Sequence, residues 1–217
     1  MSSRNARRVA ILDCGMGNLF SVAQACEHVG LEGMITSEAG ELKQAAGVIL
    51  PGVGAFADAM GTLERLKLIE PIHDFIASGK PFMGICLGMQ LLFDKSEEFG
   101  LYQGLGVIPG VVVRFPAKNK VPEVGWNTIR PPRNKNAQYW DDTALGNILP
   151  GEFMYFVHSY YCQPVNPDIV LSVTEYADVE YCSSIVWKNI YASQFHPEKS
   201  AHQGLRVYSN WAKKLRR

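Results

Sequence analysis

The chain lacks an excess of charge of either sign and lacks any long apolar run. Lys and Arg number 21, and Asp and Glu also number 21, among its 217 residues. No basic face is predicted, so we expect neither nucleic acid nor an anionic membrane as a partner. No apolar stretch reaches the roughly 20 residues of a membrane span, and the run at residues 9–12 is too short for a signal peptide. We therefore expect a cytoplasmic protein whose residues 1–7 form a disordered leader.

Paired cysteines are also lacking. The five cysteines form an odd, scattered set without C-x-x-C spacing: Cys14, Cys26, Cys86, Cys162 and Cys182. This pattern argues against a disulfide framework and against a zinc site, and it favours a reducing compartment. We predict no metal and no other cofactor.

The stretch from Pro81 to Phe93 carries the strongest signal. Apolar residues on both sides of Cys86 predict a buried strand, a tight turn between Gly84 and Gly88, and a helix. This is the cysteine form of the G-x-S-x-G nucleophile elbow, in which the glycines let strand and helix approach closely. The helix N-terminus then favours a thiolate. The alternative is an inert buried cysteine, but packing alone does not require the flanking glycines.

The rest of the chain changes from an alternating α/β pattern to a β-rich one. Strands are predicted at residues 9–12, 33–35 and 47–50, and helices at 19–29, 55–65 and 68–78. After residue 93, strands are predicted at 107–115, 153–161, 170–174 and within 183–194, before a C-terminal helix near 205–215. This predicts one α/β domain over residues 1–217: an open, mostly parallel sheet with helices on both faces and antiparallel additions to that sheet in the second half.

His196 is the strongest candidate for a base that would serve the thiol. It follows a predicted strand in the stretch Gln194-Phe-His-Pro-Glu198, and strand ends are where open α/β sheets collect reactive groups. Two residues apart in extended chain, His196 and Glu198 point to the same side, so the carboxylate could orient the imidazole toward Cys86. A surface ion pair is the alternative. The other histidines are expected at the surface (His28, His73, His202) or among aromatic side chains of a strand (His158).

Attack by a thiol on a carbonyl also requires N–H donors for the oxyanion. The N–H group of Leu87, which follows the nucleophile, is one candidate. The glycine loop at Gly52 and Val53 follows another predicted strand and is the second. An ordinary turn is the alternative interpretation of this loop.

Together these motifs resemble the class I, triad-type glutamine amidotransferases over nearly the whole chain. The stretches G-I-C-L-G-M-Q and F-H-P-E are similar to the nucleophile and His/Glu motifs of the family. Longer stretches resemble one branch, the glutaminase subunits that serve an imidazole glycerol phosphate cyclase in histidine biosynthesis: residues 15–19, 50–56, 125–127, 155–161 and 194–200.

The resemblance implies hydrolysis of L-glutamine to glutamate and ammonia. The thiol would attack the side-chain amide, the N–H groups named above would hold the oxyanion, and the imidazole would protonate the departing ammonia. Gln90, Ser159 and Tyr160 match positions that hold the amino-acid end of the substrate. Gln90 could instead be an exposed helix position, and Tyr160 could be a core residue.

The resemblance also implies a partner. Ammonia is mostly protonated in neutral water, so it must pass through a protected channel to a separate (β/α)₈ cyclase subunit. Asn18, Trp126 and Lys199 resemble interface positions, although Trp126 could equally be core. Cys14 and Glu123 stand where the family usually has tyrosine and histidine. We expect both in loops that face the partner, which leaves open a sugar-modifying synthase of a surface polysaccharide pathway as the acceptor enzyme.

Two further classes remain open at this point. One is a regulatory module that kept the fold without turnover, and the other is a thiol protease or different amide hydrolase. The glycine loop 52–54 also predicts weak activity of the isolated chain, because the loop can present a carbonyl rather than an N–H group until a partner docks.

Overall fold

The structure is a computed structural model that describes residues 7–15, 17–118 and 120–215. The leader expected at residues 1–7 lies outside the described residues except for Arg7, where the expectation is wrong. Arg7 begins the first strand and is paired in register with Leu31 of the next strand, so neighbouring backbone holds it in the sheet.

The first half alternates strands and helices, as predicted. Its elements are β1 (Arg7–Leu12), α1 (Leu19–His28), β2 (Leu31–Thr36), α2 (Ala39–Gln44), β3 (Gly47–Gly52), α3 (Phe56–Arg65), α4 (Ile69–Ala77), β4 (Phe82–Cys86) and α5 (Leu87–Leu91). The short helix α2 was not predicted from the sequence. The helix after the elbow also ends earlier than expected, because Phe93 already belongs to the next strand.

The second half is mostly strand. Its elements are β5 (Phe93–Ser96), β6 (Tyr102–Gln103), β7 (Ile108–Arg114), β8 (Glu123–Thr128), β9 (Phe153–His158), β10 (Tyr160–Pro164), β11 (Val170–Tyr176), β12 (Val179–Trp187), β13 (Ile190–Ser193) and α6 (Ala201–Lys214). The strand predicted at 153–161 is two strands, divided at Ser159.

The main sheet has the strand order β2-β1-β3-β4-β13-β12-β10-β7-β5-β6, with β11 paired to β12. Pairing is parallel from β2 to β13 and antiparallel where β12 meets β13, β10 and β11. The expectation that the second half only adds to this sheet is wrong for β8 and β9. These two strands form a separate antiparallel ribbon, because the chain changes sheet at Ser159.

The core lies on both faces of the sheet, as the nearly continuous apolar strands predicted. Alternate residues of β4 point to opposite faces: Phe82 packs with one buried cluster, and Met83 and Ile85 pack with the other. Helices α2, α3 and α4 cover the first face, and α1 and α6 cover the second. This packing fixes three neighbouring parallel strands, β3, β4 and β13, whose carboxyl ends reach the same edge of the sheet.

Candidate active site

The elbow predicted around Cys86 is present at the carboxyl end of β4. Cys86 has φ +54° and ψ −109°, and α5 begins at the next residue. A positive φ is unfavourable for a residue with a side chain, and such strain is typical of functional positions. A Cβ on Gly84 would lie 2.9 Å from the Gly88 carbonyl oxygen, and one on Gly88 would lie 1.7 Å from the Leu50 oxygen. Both glycines are therefore required by the close approach of strand and helix.

His196 and Glu198 follow β13 and form the second part of the site. The Nδ1 atom of His196 lies 2.8 Å from Oε1 of Glu198, and both side chains are 3% exposed. The backbone also fixes the histidine, because its N–H group donates to the Tyr155 oxygen at 2.9 Å and its carbonyl accepts from the Ser200 hydroxyl at 2.7 Å. The alternative of a surface ion pair is therefore wrong.

The electrostatics of His196 couple it to Cys86. Burial is the largest effect and lowers the pKa of His196, but the nearby Cys86 and Glu198 together raise that pKa to about 10. The Nε2 atom is buried and makes no hydrogen bond of ordinary geometry to any described residue, Cys86 included. The sulfur is thus close enough to act through its charge, and Nε2 remains available for a reacting group.

The other cysteines lack this environment. Burial raises the pKa of Cys14, Cys26 and Cys182 to about 12, and it raises the pKa of Cys162 well above its usual value. Cys14 is 3% exposed and packs in the core, so the expectation that it faces a partner is wrong. Cys86 is the one cysteine that combines an elbow with a nearby histidine.

Gln90 is buried on α5 rather than exposed. Its Nε2 group donates to the Tyr160 carbonyl at 3.0 Å and to Oε1 of Gln194 at 3.1 Å. Gln194 in turn directs its own Nε2 group to the sulfur of Cys86 at 3.6 Å. Sequence reasoning did not assign Gln194 a role. Its place two residues before His196, at a predicted strand end, was the signal that could have identified it.

Tyr160 and Ser159 lie beside this network, at the junction of β9 and β10. The Tyr160 side chain is 9% exposed and belongs to a core cluster, so the core interpretation holds for its ring. Its backbone carbonyl nevertheless contacts Gln90. Ser159 is half-buried, and its carbonyl accepts from the Phe115 N–H group at 3.1 Å.

The backbone groups predicted to hold an oxyanion lie next to Cys86. Gly52, at the end of β3, is paired in register with Cys86, and a Cβ on Gly52 would lie 3.1 Å from Cβ of Leu87. Val53 follows directly and is 37% exposed. The loop therefore lies beside Cys86, and the role of its N–H groups stays a prediction.

The residues expected at a partner interface are all exposed. Trp126 is 53% exposed, so the core alternative is wrong for this residue. Its ring packs edge-on against Tyr155, and Nζ of Lys199 lies 5.7 Å from the centroid of the same tyrosine. The Tyr155 ring centroid is 6.4 Å from that of His196, so this surface adjoins the site. Asn18 is exposed and caps α1 through a 3.2 Å bond to the Ser21 N–H group.

Glu123 contradicts the expectation of a loop that faces a partner. It begins β8 and its side chain is 3% exposed. The residue points inward because it alternates along the ribbon with Val124, which is 60% exposed. Its carboxyl group accepts from Tyr181 and Asn127.

The other histidines lie where the sequence predicted. His28, His73 and His202 are exposed, and His158 is buried among aromatic rings: Phe115, Phe156 and Tyr181.

Membrane-spanning helices and metal-binding clusters are absent from the described ranges 7–15, 17–118 and 120–215. No helix there is long and apolar enough to cross a membrane. No group of three or more His, Cys, Asp or Glu side chains in those ranges is arranged to hold a metal ion.

A buried thiol at an elbow, near a carboxylate-oriented imidazole, is the arrangement that thiol-dependent amide hydrolysis requires. The family model described as glutamine amidotransferase class-I matches residues 10–215. The chain therefore belongs to the class I glutamine amidotransferase family, as its motifs predicted.

Individual members of the family are similar to this chain over almost its full length. The chain is 47% identical over 206 residues to the imidazole glycerol phosphate synthase subunit HisH of Rhodopirellula baltica, with 94% of this chain and 96% of that protein covered. It is 46% identical over 211 residues to the subunit of the same name from Moorella thermoacetica, with 97% and 96% covered. These relatives span nearly the whole chain.

Solved structures agree on the fold. The structure of PurLQS from Thermotoga maritima matches with a TM-score of 0.70 at 20% identity, covering 96% of this chain and 98% of that one. A glutamine amidotransferase from the same organism matches with a TM-score of 0.62 at 16% identity, covering 98% and 85%. The predicted α/β fold is confirmed.

Proposed function

We propose that this chain is the glutaminase subunit of an imidazole glycerol phosphate synthase. It hydrolyses L-glutamine to glutamate and ammonia, and it passes the ammonia to a separate (β/α)₈ cyclase subunit in histidine biosynthesis. The observation that carries the proposal is the placement of Cys86 in a strained elbow beside an imidazole that Glu198 orients at 2.8 Å. The choice of the cyclase as the enzyme that receives the ammonia rests on the HisH relatives.

The first half-reaction forms a thioester. The Cys86 sulfur attacks the side-chain amide carbon, and the oxyanion is held by the Leu87 N–H group together with the loop at Gly52 and Val53. The tetrahedral intermediate collapses with cleavage of the C–N bond, and Nε2 of His196 gives its proton to the leaving nitrogen, which departs as ammonia. A pKa of about 10 keeps His196 protonated at neutral pH, so this acid is ready when the thiolate attacks.

The second half-reaction hydrolyses that thioester. His196 is now neutral and removes a proton from water, whose oxygen attacks the thioester carbon. The C–S bond breaks, the new carboxyl group releases the remaining proton of the water to solvent, glutamate leaves, and the thiolate and imidazolium are restored. Glu198 stabilises the imidazolium in both half-reactions through Nδ1. Gln90, Ser159 and the Tyr160 backbone hold the amino-acid end of the substrate.

Ammonia transfer accounts for the exposed apolar surface beside the site. Trp126 and Phe153 are more than half exposed on one face of the β8–β9 ribbon, and Lys199 lies next to them across Tyr155. This surface together with Asn18 forms the cyclase interface, so ammonia leaves Cys86 without meeting bulk water. Cys14 and Glu123, the two residues that differ from the family pattern, are both buried. Because neither faces outward, they no longer argue for a different acceptor enzyme.

We place the reaction in the cytoplasm, where the five free cysteines stay reduced.

The test combines the purified chain with an imidazole glycerol phosphate cyclase subunit. We expect glutamine-dependent formation of imidazole glycerol phosphate with both proteins, and none when Cys86→Ala replaces the wild type, while added ammonia still supports the cyclase. Glutamate release should be much faster in the complex than in the isolated chain, as the glycine loop predicts. Equal rates would contradict that activation, and product with a nucleotide-sugar synthase but not with the cyclase would contradict the acceptor.

A further inference from the structure

A buried polar cluster lies outside the residues assigned to the reaction. Glu123, His158 and Tyr181 are each less than a tenth exposed. The Tyr181 hydroxyl donates to Oε2 of Glu123 at 2.9 Å and lies 3.3 Å from Nε2 of His158. Oε1 of the same carboxyl group accepts from Asn127 at 2.9 Å, and Oε2 lies 3.5 Å from Nε2 of His158. Every oxygen of Glu123 is thus engaged.

The geometry of His158 shows how protons are arranged in this cluster. Its Nδ1 atom lies 2.9 Å from the Tyr160 carbonyl oxygen, which can only accept, so Nδ1 carries a hydrogen. In a neutral ring Nε2 is then an acceptor, and it faces a carboxyl oxygen in a site shielded by aromatic rings. Two facing acceptors in a buried site are costly, and a proton held between them removes that cost.

The direction of the pKa shifts favours the uncharged form of both groups. Burial raises the pKa of Glu123, and hydrogen bonds from Asn127 and Tyr181 oppose this only in part. Burial lowers the pKa of His158 to about 3, partly offset by the Tyr160 carbonyl and reinforced by the charge of His196. A neutral acid beside a neutral imidazole avoids a second positive charge next to the catalytic imidazolium.

The cluster is connected to the nucleophile by an unbroken series of hydrogen bonds. The Tyr160 carbonyl that receives the His158 hydrogen also receives one from Gln90. The second Nε2 hydrogen of Gln90 goes to Gln194, whose own amide is directed to the Cys86 sulfur. Both donors of Gln90 are therefore fixed, and its Oε1 oxygen makes no hydrogen bond to any described residue. That oxygen remains for a ligand.

We infer that Glu123 is a positioning residue of the glutaminase site. Through Tyr181 and His158 it holds the Tyr160 carbonyl in place and thereby sets the orientation of the Gln90 amide toward glutamine. The inference rests on the proposed function for its kinetic consequence, but the orientation of the amides is a property of the chain alone. A merely structural role would support folding without changing how glutamine is bound.

The variants that test this are Glu123→Gln, Tyr181→Phe and, as a matched control, Glu32→Gln. Glutamine has the shape of glutamate, but one of its two terminal atoms is an amino group, so it cannot accept from Asn127 through one atom and from Tyr181 through the other. Tyr181→Phe removes only the hydroxyl group and preserves the ring packing. Glu32 pairs with Arg8 on the exposed edge strand β2, far from the cluster along the sheet.

The first measurement is the NMR spectrum of the ¹⁵N-labelled chain. We expect the side-chain amide resonances of Gln90 and Gln194 to move in Glu123→Gln and Tyr181→Phe and to stay in place in Glu32→Gln. Unmoved resonances in both folded cluster variants would overturn the inference. This outcome does not depend on turnover.

The second measurement is the rate of glutamate release by the complex with the cyclase. We expect Glu123→Gln to lower kcat/KM about tenfold, mainly through KM, because one buried hydrogen bond is lost. The effect should disappear when Gln90→Ala is already present, since coupled residues are not additive. The inference would be overturned if the losses in kcat/KM from Glu123→Gln and Gln90→Ala multiplied in the double variant, or if Glu123→Gln lost no more than Glu32→Gln. A wild-type complex that releases no glutamate would contradict the proposed function, and the amide resonances would still decide the role of Glu123.

Discussion

The contact between α5 and β3 behind Cys86 sets a severe limit on Gly88. A Cβ built there lies 1.7 Å from the Leu50 carbonyl oxygen and 2.7 Å from its carbon, about half the ordinary contact distance for the oxygen. Helix α5 is five residues long and is held between β4 and β5. Gly88→Ala therefore requires the helix to separate from the strand that carries Gly52.

The expected magnitude follows from the size of that overlap. Adding a methyl group to a packed core costs about 1–3 kcal/mol when neighbours can yield. Here the obstacle is backbone, so Gly88→Ala should lower the free energy of unfolding by about 3 kcal/mol or more. Gly84→Ala meets the Gly88 oxygen at 2.9 Å and should cost about 1–3 kcal/mol.

A matched control is available at Gly61. It lies inside α3, and a Cβ there meets no atom within 4 Å. Gly61→Ala should therefore stabilise the chain by about 0.5–1 kcal/mol, because alanine is the better helix former. Urea unfolding followed by circular dichroism measures all three variants. Gly88→Ala as stable as the wild type, or less costly than Gly84→Ala, would refute the packing argument for the elbow.

Three further predictions concern the titrating groups. Cys86→Ala should lower the pKa of His196 from about 10, because a negative neighbour is lost; imidazole NMR titration measures this, and an unchanged pKa would contradict the coupling. Glu198→Gln should slow glutamate release roughly 10- to 100-fold, because a charge-assisted hydrogen bond is weakened; a rate within about twofold of wild type would contradict its role. Burial of His158 lowers its pKa from 6.5 to about 3, so the folded chain holds this ring neutral where the unfolded chain would protonate it. The stability that neutral His158 contributes should therefore be complete above about pH 6.5 and be lost as the pH falls toward 3. Imidazole NMR titration measures this, and a His158 ring that titrates near 6.5 in the folded chain would contradict it.

Features with a local cause could be predicted from the sequence. Gly84 and Gly88 flank Cys86 at a spacing that serves a tight turn, and the turn is present with a positive φ at the cysteine. The His196–Glu198 contact follows from a two-residue spacing after a strand. In each case the residues that create the geometry are neighbours in the chain.

Features that depend on distant contacts could not be predicted. Glu123 is buried because its strand pairs with β9, which lies much later in the chain, and because Tyr181 of β12 meets its carboxyl group. The strand predicted at 153–161 is likewise divided at Ser159 because its first half, β9, pairs with β8, whereas its second half, β10, belongs to the main sheet. Gln194 gains its role only where Gln90, from α5, contacts it. The spacing of residues along the chain does not indicate which of these distant residues come into contact.

The most direct test of the central claim is to identify which cysteine reacts with an electrophilic glutamine analogue, by peptide mass mapping after inactivation. We predict one adduct, on Cys86, because this cysteine alone lies at the elbow beside His196, while burial raises the pKa of the other four thiols. Inactivation with Cys86 unmodified, or with the adduct on another cysteine, would contradict the account.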